Sequence, residues 1–151
     1  MKKLMLAAGI TLCLVAAALA EAGMEERPAG TGARFEAVDV YVDPAGQPLA
    51  AYQFELTARG ADVKIVGVEG GEHAAFKEPP YYDPAALMGG RVIIAAFNTG
   101  HDLPRGRTRV ATVHLRVVGG EAQYGIVLEA AAADGGGEIP AEISVQKGEG
   151  R

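Results

Sequence analysis

The segment from Gln47 to Gly71 constrains the fold most, because it holds two runs with the side-chain pattern of β-strands. Between Tyr52 and Thr57 apolar and polar residues alternate, and a period of two places the apolar set on one face of a pleated strand. Residues 59–62 interrupt this run with a Gly-containing turn, and residues 63–68 form a second apolar run. The segment therefore predicts two consecutive strands.

Similar runs recur along the chain between turn residues. They predict further strands at Phe35–Asp43, Arg91–Phe97, Arg109–Val118, Tyr124–Ala130 and Ile143–Val145. Seven or more strands need two layers, because a single sheet would leave one apolar face in water. The sequence predicts an all-β protein, a two-sheet antiparallel β-sandwich with jelly-roll-like topology. At most one short helical turn is expected in the 70–90 loop, with Asp83 as N-cap and Pro84 at its first position.

The same patterns predict which faces of individual strands point toward the core. The run 92–97 is apolar on both faces, which predicts a central strand. In the strand that follows Gly119-Gly120, alternation predicts an inner face made by Tyr124, Ile126, Leu128 and Ala130.

The N-terminal 22 residues have the pattern of a secretory signal peptide. Lys2 and Lys3 precede an apolar stretch from Leu4 to Ala20, and small residues follow it. A transmembrane anchor is the alternative, since this stretch approaches the length of a membrane span. The small residues at its exit favour cleavage. We therefore expect export to the periplasm, the cell surface or the extracellular space, with no membrane span after cleavage.

Domain organisation follows from this assignment. We expect a signal peptide at 1–22, a flexible leader at 23–33, a sandwich domain at 34–147 and a frayed tail at 148–151. The one cysteine, Cys13, falls in the signal peptide, so the exported fold must hold without disulfides. A net charge of −5 argues against a nucleic-acid partner, because phosphate binding needs clustered Lys and Arg.

Four pieces of the chain, in order, resemble the cohesin domain, the scaffold module of cellulosomes. They are residues 49–56, 63–68, 90–97 and 109–117. The resemblance implies a nine-stranded jelly-roll sandwich, shared with the family-three cellulose-binding modules. It also implies binding, since cohesins hold dockerin modules and the related modules hold polysaccharide. The chain differs from the cellulose binders in having no Trp. No dockerin-contacting residue is carried over.

The 70–90 loop holds the candidate ligand-binding residues Phe76, Tyr81 and Tyr82. Prolines at 79, 80 and 84 stiffen this loop, and aromatic side chains on a rigid loop can stack on sugar rings or anchor a protein partner. The alternative is that the three side chains plug one end of the sandwich. Because neighbours in an extended segment point opposite ways, one tyrosine could be buried while the other is free.

Catalytic and metal chemistry find little support in the sequence. The only serine, Ser144, lies near the C-terminus, and the carboxylates suggest no pair, so an enzyme is not expected. No cofactor is expected, and no metal site is predicted. The three histidines are expected to be solvated: His73, His101 and His114. Calcium stays an alternative, through Asp83, Asn98, Asp102 or the Asp134 loop.

These observations predict an exported, non-catalytic, cohesin-like recognition module that binds a protein partner, dockerin-like, or a carbohydrate. The alternatives are a structural or cell-envelope protein without a small ligand and, less favoured, a metal-binding or hydrolase-associated protein.

Overall fold

The computed structural model describes residues 32–148. The predicted signal peptide, most of the predicted leader and the last three residues lie outside this range. The described residues form eight strands: β1 (Ala33–Asp43), β2 (Ala51–Arg59), β3 (Asp62–Gly70), β4 (Tyr81–Tyr82), β5 (Arg91–Phe97), β6 (Thr108–Val118), β7 (Gln123–Ala132) and β8 (Glu142–Lys147).

The strands form two four-stranded antiparallel sheets, which confirms the predicted sandwich. Sheet I has the order β3-β6-β1-β8, and sheet II has the order β4-β5-β2-β7. Every connection except β4–β5 crosses from one sheet to the other, so the chain winds in a jelly-roll-like way. The described residues contain eight strands, whereas the cohesin resemblance implies nine.

The core lies between the sheets and uses the alternation read from the sequence. Val40 of β1 and Phe54 and Leu56 of β2 are fully buried. The Tyr52 hydroxyl, which also lies in the core, donates a hydrogen bond to the Val110 carbonyl at 3.0 Å. This bond satisfies the one polar atom that the ring brings into the apolar layer.

The 70–90 loop contains two 3₁₀ turns, where at most one helical turn was expected. The predicted turn is present at Pro84–Ala86, and the Asp83 carboxylate accepts a hydrogen bond from the Ala85 amide at 2.8 Å. The additional turn is Ala74–Phe76. Its N-cap is His73, whose Nδ1 accepts from the Ala75 amide at 3.2 Å. Histidine is not among the residues that signal an N-cap in a sequence, so the pattern did not reveal this turn.

Strand β5 is central in sheet II, between β4 and β2, as predicted, but only one of its two apolar faces is buried. Val92 and Ile94 are buried, but Ile93 and Phe97 are exposed. The strand pairs fully with β2, while on its other side β4 covers it over only two residues. No element among the described residues packs over the outer side of sheet II, so the second apolar face of β5 meets solvent.

Strand β7 changes face near its C-terminal end. The pairing with β2 shifts by one residue between Gln53 and Phe54, which leaves Glu129 as an extra residue in β7. Such a bulge reverses the alternation beyond it. Ala131 is therefore buried and Ala130 is exposed, so the prediction that Ala130 faces the core is wrong.

Candidate binding surface

The candidate site is the outer face of sheet II, the side turned away from the core. Three strands and the short edge strand contribute to it. Its members are Ala51, Gln53 and Glu55 of β2, Tyr81 of β4, Ile93, Ala95 and Phe97 of β5, and Val127, Ala130 and Ala132 of β7.

Large apolar side chains are concentrated on this face. Six large hydrophobic residues are exposed among the described residues, and four of them lie here. The side chains of Tyr81 and Phe97 are 69% and 64% exposed, and those of Val127 and Ile93 are 61% and 38% exposed. Single exposed apolar residues are ordinary, but a contiguous group marks an interaction surface.

Tyr81 and Phe97 form a stacked aromatic pair at one edge of the face. Their ring centroids lie 6.1 Å apart, and the ring planes differ by 10°. Tyr81 is paired in register with Ala95, and Phe97 lies two residues further along the same face of β5. Because Ala95 carries only a methyl group, the tyrosine ring can reach across to the phenylalanine.

Four alanines form the floor beside this pair. They are Ala51, Ala95, Ala130 and Ala132, which line a shallow apolar hollow together with the two aromatic rings. The bulge in β7 contributes to the hollow, because it turns Ala130 outward. Small side chains on the floor leave room for the side chains of a second molecule to approach the sheet.

The polar residues on the face are bonded to one another. Arg91 donates to the Glu55 carboxylate at 2.5 Å, and Gln53 donates to Glu129. The hydrogen bond from the Arg91 guanidinium lowers the pKa of the Glu55 carboxyl below its ordinary value. Since these groups are already partnered, the face offers a partner mainly apolar surface.

The structure separates the three aromatic residues predicted from the loop. Tyr81 is exposed on the outer face of sheet II, whereas Tyr82 is half-buried and packs against the core. Phe76 is 3% exposed and contacts Tyr52 edge-to-face, with ring centroids 5.1 Å apart. In this conformation only Tyr81 presents its ring to a ligand, and Phe76 belongs to the core.

Sequence reasoning missed Phe97 and Ile93 as surface residues. The apolar run 92–97 carries no local signal that distinguishes a strand buried on both faces from a strand with one solvent-exposed apolar face. Exposure of these residues depends on whether another layer covers sheet II.

Two of the three histidines, His73 and His114, have individual partners. Besides capping the 74–76 turn, His73 places Nε2 3.9 Å from an Asp102 carboxylate oxygen. On the outer face of sheet I, His114 Nε2 lies 3.0 Å from Glu69 Oε1. Over residues 32–148, no group of three or more His, Cys, Asp or Glu side chains gathers as a metal site would require.

Two of the side chains considered for calcium have local structural roles. Asp83 caps the 84–86 turn. Asn98 donates to the Ala75 carbonyl at 2.9 Å, and its oxygen accepts from the Gly100 amide at 2.7 Å. These bonds join the 98–100 loop to the first 3₁₀ turn.

Comparisons with protein-family models, with curated proteins and with solved structures found no match. In the described part of the chain, no helix has both the length and the apolar character needed to cross a membrane.

Proposed function

We propose that this chain is an exported, non-catalytic recognition module that binds a protein partner through the outer face of sheet II. One observation carries the proposal: four of the six exposed large hydrophobic side chains of the described residues share this face. Interface cores are enriched in aromatic residues and depleted in free charges. The paired polar groups and the stacked Tyr81 and Phe97 rings fit that description.

A protein partner fits the face better than a carbohydrate does. Sugar recognition relies on polar groups placed to bond the hydroxyls, together with an aromatic platform. Here Gln53, Glu55 and Arg91 already bond within the face, and the floor is alanine. An apolar ridge from a partner, such as one face of an amphipathic helix, would fill the hollow and cover the aromatic pair.

The cohesin resemblance supports the same class of function. It implies a module that holds a protein partner, and the two-sheet architecture agrees with the fold that it implies. The partner proposed here is accordingly dockerin-like in its role: a separate protein module docked on a sheet face.

Export is proposed from the sequence of the first 22 residues. We expect the mature protein to begin near Glu21 or Gly23. Intact-mass measurement of protein recovered from the exported fraction tests this. Recovery of the full chain, Met1 included, in the membrane fraction would instead favour the anchor.

The binding proposal is tested by capture followed by titration. Wild-type protein is used as bait against the secreted fraction, and the captured partner is then titrated against single variants. Tyr81→Ala and Phe97→Ala should each weaken binding by about 1–3 kcal/mol, as expected for an aromatic anchor, with little change in melting temperature. Phe35→Ala serves as the control, because Phe35 is an exposed aromatic residue on sheet I.

Three results would contradict the proposal. The first is normal binding by both variants, and the second is equal loss in Phe35→Ala. The third is the absence of any captured protein, combined with binding on a glycan array that depends on Tyr81, which would favour the carbohydrate alternative.

A further inference from the structure

A second surface of different chemistry lies on the outer face of sheet I. Lys64 of β3 lies directly opposite Arg116 of β6, and Arg116 lies directly opposite Phe35 of β1. The three residues therefore form one row across three adjacent strands, called here the cationic row. Strand spacing makes the row roughly 10 Å long between its outer backbones.

The cationic row contains an arrangement that costs stability. Like charges placed directly opposite on neighbouring strands repel each other. No carboxylate among the described residues lies within 4.0 Å of the Lys64 or Arg116 charge. On the same face of β3, Asp62 lies two residues before Lys64 without forming an ion pair with either charge, and Glu69 contacts His114. A repulsion that no ion pair relieves, in an otherwise consistent sheet, is a sign of a functional position.

Phe35 extends the row with an apolar ring. It is 75% exposed, more than any other large hydrophobic side chain of the described residues. Its exposure gives the row an aromatic surface beside two positive charges.

We propose that the cationic row binds an acidic polysaccharide that carries uronic acid units. Phe35 would contact the apolar face of one sugar ring, and Arg116 and Lys64 would bind the carboxylate. A guanidinium presents two parallel N–H groups to a carboxylate, and an ammonium adds a second charge. The row lies open on a sheet rather than in a pocket, which suits a polymer that runs across the surface.

Other anionic partners fit less well. A lipid surface would need several apolar side chains to insert, and the row has one. An acidic peptide would pair with the charges of Lys64 and Arg116 but would leave the Phe35 ring without a contact. The proposal is independent of the protein-binding face, which lies on the opposite sheet.

The test is a titration of the purified protein with oligogalacturonate, and with its methyl ester as a matched probe without charge. We expect binding of oligogalacturonate that weakens as salt is raised, and at least about tenfold weaker binding of the ester, because charged hydrogen bonds are lost. Phe35→Ala, Lys64→Gln and Arg116→Gln should each weaken oligogalacturonate binding about tenfold. Lys77→Gln, an exposed lysine outside the row, should leave it unchanged.

Several outcomes would overturn the proposal. They are undetectable binding, equal binding of the ester, an equal effect of Lys77→Gln, and equally tight binding of oligoglutamate or of anionic lipid vesicles.

A separate readout tests the premise of the proposal: relief of the repulsion in Lys64→Gln should raise the melting temperature, and a decrease would refute the argument from repulsion. Tyr81→Ala should bind oligogalacturonate normally, which separates this result from the fate of the protein-binding face.

Discussion

Met88 has a backbone conformation that its side chain disfavours. Its φ is +67°, in the left-handed region, and its side chain is 60% exposed. The conformation lets the Met88 amide donate to the Ile65 carbonyl at 2.8 Å, while the Ile65 amide donates to Gly89. Residues 88–89 thus cover the edge of β3 at Ile65, where unpaired backbone groups would otherwise invite another strand.

Replacing Met88 by glycine should stabilise the protein. The left-handed conformation costs a non-glycine residue about 1–2 kcal/mol, and glycine loses part of this gain through its greater unfolded-state entropy. We expect Met88→Gly to raise the free energy of unfolding by about 0.5–1 kcal/mol in urea melts. Ala85→Gly, at an exposed position with negative φ in the neighbouring turn, should destabilise instead. A loss in Met88→Gly would contradict the strain argument.

The alternation in β2 predicts opposite outcomes at adjacent positions. Phe54 is fully buried between the sheets, so Phe54→Ala should cost about 3–5 kcal/mol of stability. Gln53 lies on the outer face and bonds Glu129, so Gln53→Ala should cost well under about 1 kcal/mol. Chemical denaturation of both variants measures this difference, and similar losses would mean that the faces are exchanged.

The two adjacent tyrosines should differ in the same way. Tyr82 packs against the core, so Tyr82→Ala should lower stability by about 1–3 kcal/mol. Tyr81 is largely exposed, so Tyr81→Ala should change the free energy of unfolding by less than about 0.5 kcal/mol. Thermal melts of the two variants measure this difference. Early melting of both variants would assign the whole loop to the core.

At the scale of elements, one carboxylate joins three strands. Glu36 of β1 has a side chain that is 5% exposed, and it accepts hydrogen bonds from Tyr124 of β7 at 2.8 Å and Arg34 at 2.6 Å. Lys147 of β8 lies 3.2 Å away. Burial raises the pKa of Glu36, but these three partners together outweigh it, and the pKa lies below its ordinary value. The cluster connects the two sheets near the start of β1.

Removing this charge should destabilise the protein in a pH-dependent way. The pKa of Glu36 is lower when folded, so its contribution is present above the unfolded pKa and is lost as pH falls through the folded value. We expect Glu36→Gln to lose about 1–3 kcal/mol at pH 7, with the difference from wild type shrinking as pH falls below the ordinary Glu pKa of about 4.3. Glu142→Gln, at an exposed position of β8, is the matched control. A constant difference across pH would exclude an electrostatic role.

For the whole molecule, the sandwich itself must supply the stability. The single cysteine is Cys13, so no intramolecular disulfide can form. We expect one cooperative thermal transition, identical with and without reductant, because the core between the sheets is continuous. Far-ultraviolet and tyrosine signals should give the same midpoint. A shift on adding reductant, or two separate midpoints, would contradict this.

The sequence predicted only part of the candidate site. Tyr81 was found because a proline-stiffened loop that carries aromatic residues stands out from strand patterns. Its stacking partner Phe97 was assigned only to a central strand, with no sign that the two rings lie on one face. Nothing in the local sequence links residues 81 and 97, since their contact depends on the pairing of β4 with β5.

The sequence by itself determined where every strand except β4 lies and which face of β2 is buried, because a two-residue period is a local property of the chain. Tertiary structure alone decided that Ile93 and Phe97 meet solvent and that Ala130 turns outward. The first outcome depends on which layers cover a sheet, and the second on a one-residue bulge in the pairing of β7 with β2. Both are relations between distant segments, which no local pattern encodes.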